Sequence, residues 1–283
     1  MDEAKPGPAD LAGTVDRLIG LLGRTPAQDV SAFDRTFLAR CLAKCQEVAG
    51  APTPADYLGR LGDDAAEARA FLASLHIGTS EFFRNSLTFA VLEHLVLPRL
   101  VGDLSARAAL RVWCAGCSSG EEPYSVAILL DELLAGSGGA TSCHIFATDS
   151  CEAGVVAARE GVYDARAVQN LRRKHLEAYF TRAGDSFTVI PRLRDRVDFS
   201  THHLLDAGTH SPPASIYGDF NLILCCNLLI YYRPEFRQRI IEKLLSCLAP
   251  RGYLVLGETE RAMVEQFGSL RAVAPPAPVF QKG

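Results

Sequence analysis

Apolar residues recur at helical spacing along the first part of the chain. Leu11, Val15, Leu18, Ile19 and Leu22 share one face, and Phe33, Phe37, Leu38 and Leu42 another. Gly50-Ala51-Pro52 and Pro54 then punctuate the pattern, and DYLGRL and EARAFLASL read as two more helical pieces. TSEFFRN (79–85) leads into SLTFAVLEHLVLPRL, a helix that Pro98 is expected to end or kink. No convincing strand occurs between Leu11 and about Arg107. These patterns predict a disordered tail over 1–10, a helical domain over 11–90 and a linker helix over 91–108.

Past Arg111 short apolar runs alternate with helical segments. The runs are Arg111–Cys114, His144–Thr148, Val197–Ser200, Phe220–Cys225, Tyr253–Gly257 and Val279–Gln281. Helices are expected near 121–135, 152–160, 234–248 and 259–267. Strands alternating with helices predict an α/β domain over 109–283, with a mostly parallel sheet covered on both faces. SFTVIPRLRDRVDF (186–199) has strand-like pieces with no helix between them, which predicts a small antiparallel hairpin in an insert at about 178–200.

Composition narrows the class. With 48% hydrophobic and 22% charged residues, the 283-residue chain has the apolar content of a soluble globular protein with a full core. A net charge of −4 gives no global pull toward nucleic acid or anionic membrane. The start, MDEAKPGPAD, lacks the basic and apolar regions of a signal peptide. No apolar run approaches the length of a membrane span. Nine cysteines, an odd number spread mostly through apolar segments, fit reduced thiols in the cytoplasm. Cys114 and Cys117 form a CxxC, but a zinc site needs two more ligands at matching spacing and no such pair is present. No metal is expected.

The candidate chemistry starts at RVWCAGCSSGEEPYS (111–125), where a strand meets a glycine loop. In open α/β sheets ligands bind at the carboxyl ends of strands, and Gly116 and Gly120 allow close backbone approach. The loop is neither GxGxxG nor a Gly-Lys-Ser/Thr phosphate loop. Glu121 and Glu122 suit a helix N-terminus, yet would repel a phosphate there. That leaves nucleosides that are neutral or cationic, and S-adenosylmethionine, with its sulfonium and amino acid tail, is one. A dipole-matched helix start accounts for one of the two acids, and a carboxylate nearby suits the cation's positive charges. Asp149, closing HIFATD, can accept both ribose hydroxyls; the alternative is an N-cap for the helix at 152. It follows Gly116 by 33 residues, with AGSGGATS (135–142) as the extra loop. Asn227, at the end of a buried strand, either meets the cofactor or bonds loop backbone.

SSGEEPYS, ATDS, GVY (161–163), CCNLLIYY (225–232), GYLVLGETE (252–260) and TSEFFRN together resemble the CheR family, methyltransferases that esterify glutamates of bacterial chemotaxis receptors. The matches run in family order from about residue 30 to the C-terminus. The resemblance implies a Rossmann-like class I methyltransferase domain with a mostly parallel seven-stranded sheet, an N-terminal all-helical domain and a small antiparallel β-subdomain. By position it implies that Gly78, Ser80 and Arg84 face the cofactor and reacting centre. Glu122 would meet its methionine end and Asp149 its ribose. His203 and Leu204 would lie by the adenine, while Gly116, Asn227 and Leu228 line the pocket with Tyr231. Arg84 and Tyr231 are the catalytic pair, orienting the substrate carboxylate. For Arg84 the plain alternative is a surface arginine, and for Tyr231 a core residue.

The implied reaction is methyl transfer from S-adenosylmethionine to a glutamate carboxylate, giving the methyl ester and S-adenosylhomocysteine. The implied partner is the cytoplasmic domain of a chemoreceptor or similar protein, with no nucleic acid and no membrane insertion. Several positions depart from the family pattern. Gly78-Thr79 stand where Asn-Val is usual, Cys226 where Arg is usual, and His203 where Asn is usual. The helix DRTFLARCLAKCQEVAG offers Arg35, Arg40 and Lys44 but also Asp34 and Glu47, a weak basic face. One glycine, Gly184, in TRAGDSFTVIPRL argues against tethering to a receptor peptide. A methyltransferase for a non-receptor acceptor and a cofactor-binding module without turnover are the other readings.

Overall fold

The computed structural model describes residues 8–23, 29–76, 78, 80–104, 109–135, 142–215 and 217–283. The chain divides into two compact units, Met1–Ile77 with Ile230–Arg237, and Gly78–Leu229 with Gln238–Gly283.

Capping residues set the helices of the first unit. Helix α1 spans Pro8–Leu22. It therefore begins inside the segment expected as a tail, and residues 1–7 lie outside the described residues. Asp34 caps α2 (Arg35–Val48), taking the N–H groups of Thr36 and Phe37 at 2.9 and 3.1 Å. Thr53 and Asp56 form a capping box at α3 (Pro54–Asp63), whose proline occupies a first-turn position where no N–H is needed. Asp64 caps α4 (Ala65–Ser74). Val15, Leu18, Phe37, Leu38, Tyr57 and Phe71 are buried in the core between these helices. The return segment adds a strand-like bridge from Tyr232 to Phe33, with the two rings stacked 5.0 Å apart.

The second unit starts with a continuous helical run, α5 (Ser86–Val91), a π-turn over Leu92–Val96, and α6 (Leu97–Asp103). Pro98 does not end the helix. Proline lacks an N–H and its ring presses on the carbonyl one turn back; the wider turn, with Leu97 N–H reaching Leu92 O, accommodates it.

Then come β1 (Leu110–Ala115), α7 (Glu121–Ala135), β2 (Cys143–Asp149), α8 (Glu152–Glu160), β3 (Val162–Asp164), α9 (Arg173–Tyr179), β4 (Phe180–Ala183), β5 (Ser186–Val189), α10 (Pro191–Arg194), β6 (Val197–Thr201), β7 (Phe220–Cys225), α11 (Pro234–Cys247), β8 (Leu248–Leu256), β9 (Leu270–Ala272) and β10 (Val279–Lys282). Seven strands form one sheet in the order β6-β2-β1-β7-β8-β10-β9. β6, β2, β1, β7 and β8 run parallel, while β10 is antiparallel to both of its neighbours. Buried on both faces, the central strands read as continuous apolar runs rather than alternating ones.

The hairpin expected over 186–199 is corrected. β5 pairs with β4 upstream and with β3, making a three-stranded antiparallel sheet, while β6 is the edge strand of the main sheet. The helix expected near 259–267 is a 3-10 turn over Glu258–Val264. Most of AGSGGATS lies outside the described residues.

Candidate active site

The chain runs from β1 out to β2 and β6, then returns to the other side of β1 as β7. Strand order reverses between β1 and β7, and in open α/β sheets ligands bind outside the carboxyl ends of the strands at such a switch point. Gly116 follows β1 with φ +83°, and a Cβ there would come within 2.9 Å of Leu228 Cδ2, just past β7. The left-handed turn favours glycine here, and the close contact is with the flexible end of the Leu228 side chain. The N–H groups of Gly116 and Cys117 donate to Thr148 O at 2.7 and 3.0 Å, tying the loop to β2. Gly120, φ +96°, is pressed by α8 and β3: a Cβ would meet Ala158 Cβ at 2.9 Å and the Tyr163 hydroxyl at 3.0 Å.

Asp149 lies across from Thr201 in the β2–β6 register. Its Oδ2 accepts the Ser118 N–H at 2.8 Å and its Oδ1 the Cys151 N–H at 2.9 Å. It is not the N-cap of α8, which is Cys151. Each carboxylate oxygen keeps capacity for a further donor, as two ribose hydroxyls would need. His202 N–H donates to Asp149 O at 2.9 Å, so half-buried His203 and buried Leu204 follow directly at the same edge.

The two glutamates have different surroundings. Glu121 is buried, and Ser119 Oγ donates to its oxygens at 2.9 and 2.8 Å. Ser80 also bonds to this carboxylate. Burial pushes its pKa up, opposed by those hydrogen bonds. Ser80, expected to face the cofactor, is thus engaged by Glu121. Ser125 Oγ joins the same loops, donating to Glu121 O at 2.6 Å and accepting the Phe83 N–H at 3.0 Å.

Glu122 is held differently. Its Oε1 is buried without a hydrogen-bond partner. Burial raises its pKa to about 7; Glu260 adds to this, while a bond from the Cys226 thiol and the charge of Arg84 oppose it. A buried acceptor without a donor is destabilising. It suits a site that awaits a cation.

Arg84 sits between two residues in left-handed conformations, Phe83 (φ +52°) and Asn85 (φ +63°). Such residues persist where their surroundings over-determine them. Phe82 packs edge-on to Tyr163 and Phe180, at 4.9 and 5.3 Å, and Phe83 stacks on buried His175 at 5.2 Å. Asn170 Nδ2 donates to Glu81 Oε2 at 2.9 Å. At Gly78 a Cβ would meet nothing within 4 Å, and Thr79 lies outside the described residues.

At the end of β7, Asn227 is also left-handed, φ +57°. Its N–H donates to Glu260 Oε2 at 2.9 Å, and the Gly257 N–H donates to the same oxygen at 2.7 Å. Tyr231 belongs to the first unit, where its ring packs 5.0 Å from Phe37. Cys114, Cys117 and Cys225 are buried free thiols whose pKa burial pushes well up. Among the described residues no three His, Cys, Asp or Glu side chains gather to hold a metal, and no helix is long and apolar enough to cross a membrane.

Residues 78–273 match the family described as CheR methyltransferase, SAM binding domain. The chain belongs to the CheR methyltransferase family. A chemotaxis protein methyltransferase of Listeria innocua is 34% identical over 74% of this chain and 74% of its own length. Chemotaxis protein methyltransferase 1 of Pseudomonas aeruginosa is 37% identical over 63% of this chain and 64% of its own. An uncharacterized 104.1 kDa protein in the hypE 3′ region of Rhodobacter capsulatus is 30% identical over 89% of this chain, which spans only 26% of that protein. S-adenosylmethionine is the cofactor that the CheR domain binds, and Asp149, Glu122 and the Gly116 loop stand at the carboxyl edge of the sheet.

Glu121 is the helix start that the sequence predicts, the first residue of α7, and it also bonds Ser80. Two residues of this CheR chain escape sequence reasoning. Glu260 lies in a quoted motif that gives it no role. Cys226 is a departure from pattern that proves to bond Glu122. The signal available was the repeated Glu within GETE and GEEP; which loop each one bonds is not local information.

Proposed function

We propose that this chain methylates glutamate side chains of a chemoreceptor or chemoreceptor-like protein, giving glutamyl methyl ester and S-adenosylhomocysteine. The reading is supported by the CheR family membership and by relatives named chemotaxis protein methyltransferases. The observation that carries it is half-buried Glu122, whose Oε1 is itself buried and unpartnered at the sheet's carboxyl edge.

S-adenosylmethionine, when bound, supplies an electrophilic sulfonium methyl group. Glu122 Oε1 accepts from the ammonium of its amino acid tail, which completes the missing hydrogen bond and favours the charged form. Asp149 takes the ribose hydroxyls and keeps the glycine loop folded through Ser118. His203 and Leu204 flank the adenine, and Leu228, Gly116, Asn227 and Gly78 line the pocket. Ser80 acts through Glu121, fixing the loop that carries Arg84. A substrate glutamate with an ordinary pKa of about 4.3 is already ionised at neutral pH, so the nucleophile needs no general base. Arg84 orients that carboxylate and partly replaces its hydration, leaving positioning as the main contribution.

The test is methyl transfer from radiolabelled S-adenosylmethionine to receptor-enriched membranes, followed by mild base. A methyl ester releases volatile methanol. Label that forms but resists base places the methyl on another acceptor and overturns the glutamate reading.

A further inference from the structure

Glu260 lies 33 residues beyond Asn227 and is fully buried. One of its oxygens, Oε2, gathers the N–H groups of the turns after β7 and β8. Two N–H donors on one ionised oxygen are strong hydrogen bonds, and the left-handed Asn227 needs such support. Gly257 makes room for the arrangement. Its φ of −71° is ordinary, but a Cβ there would lie 2.7 Å from Asn227 Nδ2, 2.8 Å from Asn227 N and 2.8 Å from Glu260 Oε2. Glycine followed by glutamate three residues on thus forms one device with the asparagine of the turn after β7.

We propose that Glu260 is a positioning residue for the cofactor site: it locks the turn after β7 in its left-handed form, so that Asn227, Leu228 and Cys226 hold their places beside Glu122. This rests on the cofactor reading above. Its charge acts as well as its geometry. The groups that face Glu122 electrostatically are Arg84 from the loop before α5, Cys226 and Glu260 from the turns after β7 and β8, and the buried thiols of Cys114, Cys117 and Cys225. Of these, Glu260 is the one that raises the Glu122 pKa beyond burial itself.

Calorimetry of the full chain with S-adenosylhomocysteine between pH 5.5 and 8.5 tests this, with Glu260→Gln and Glu260→Ala beside wild type. Glutamine keeps an acceptor oxygen and removes the charge. The expected Glu260→Gln affinity at pH 8 is within about threefold of wild type, while the acid limb of its profile moves to lower pH by roughly half to one unit. Glu260→Ala is expected to lose about tenfold at pH 8, where Glu122 is ionised in either protein, and to expose the Asn227 and Gly257 amides to faster hydrogen exchange. Wild-type affinity and exchange in Glu260→Ala overturn the proposal. So does an unmoved acid limb in Glu260→Gln, which decides the matter if the alanine variant does not fold. Wild-type protein that binds no S-adenosylhomocysteine defeats the cofactor reading instead, and amide exchange at Asn227 then still reports on Glu260.

Discussion

Glu122 is destabilising in the free protein and useful in the bound one. Its pKa is raised on folding, so its contribution is fully present below about 4.5 and lost as pH rises through about 7. Glu122→Gln should therefore stabilise the ligand-free chain at pH 8 by about 3 kcal/mol and leave it unchanged near pH 4, as chemical denaturation at the two pH values would show. The same variant should weaken S-adenosylhomocysteine by about 10- to 100-fold, the worth of a charged hydrogen bond. For wild type, affinity should be flat above pH 7 and fall about tenfold per unit below it, because binding must then expel a proton. Arg84→Ala should cut methyl transfer by about 100-fold or more while S-adenosylhomocysteine affinity at pH 8 changes little. Removing its positive charge should also move the acid limb upward. Turnover that survives Arg84→Ala would return Arg84 to an ordinary surface arginine.

At the scale of elements, two glycines of one loop serve different neighbours. Gly116 faces the flexible end of Leu228, whereas Gly120 faces Ala158, Cα included at 3.3 Å, and the Tyr163 hydroxyl. Both have positive φ, so alanine strains either by about 1–2 kcal/mol. Only at Gly120 does a helix have to move, which adds about 1–3 kcal/mol. Urea denaturation should rank Gly120→Ala below Gly116→Ala in stability; the reverse order would place the helix contact elsewhere. Strand and helix positions were legible from the apolar runs, because a buried parallel sheet leaves little room for polar residues. The small antiparallel sheet is present as expected, but its strands choose other partners than a hairpin over 186–199, for a related reason. β3, β4 and β5 are three or four residues each, too short for periodicity to show which partner they choose. Pro98 is expected from sequence to end or kink the helix; the π-turn through which the helix continues has no sequence signature of its own.

Across the whole molecule, buried titrating groups oppose one another. His202 packs edge-on to Trp113, and its burial, with Lys243 and His203, lowers its pKa to about 4. It is stabilising above about 6.5 and that contribution is lost as pH falls toward 4, opposite in sign to Glu122. His202→Phe should therefore flatten the loss of stability on acidification, as chemical denaturation at pH 7 and pH 5 would show. The sequence by itself determined the alternation of strands and helices, the acids where a phosphate would sit, and the motifs that place the chain among CheR methyltransferases. All of these are local patterns, read within a few turns or one loop. Only the tertiary structure decided that Glu121 bonds Ser80 while Glu122 keeps an oxygen open, that Tyr231 packs on Phe37, and that Glu260 supports Asn227 from the turn after β8. Those outcomes depend on which donors the folded chain brings within about 3 Å, and such partners lie tens of residues apart in sequence.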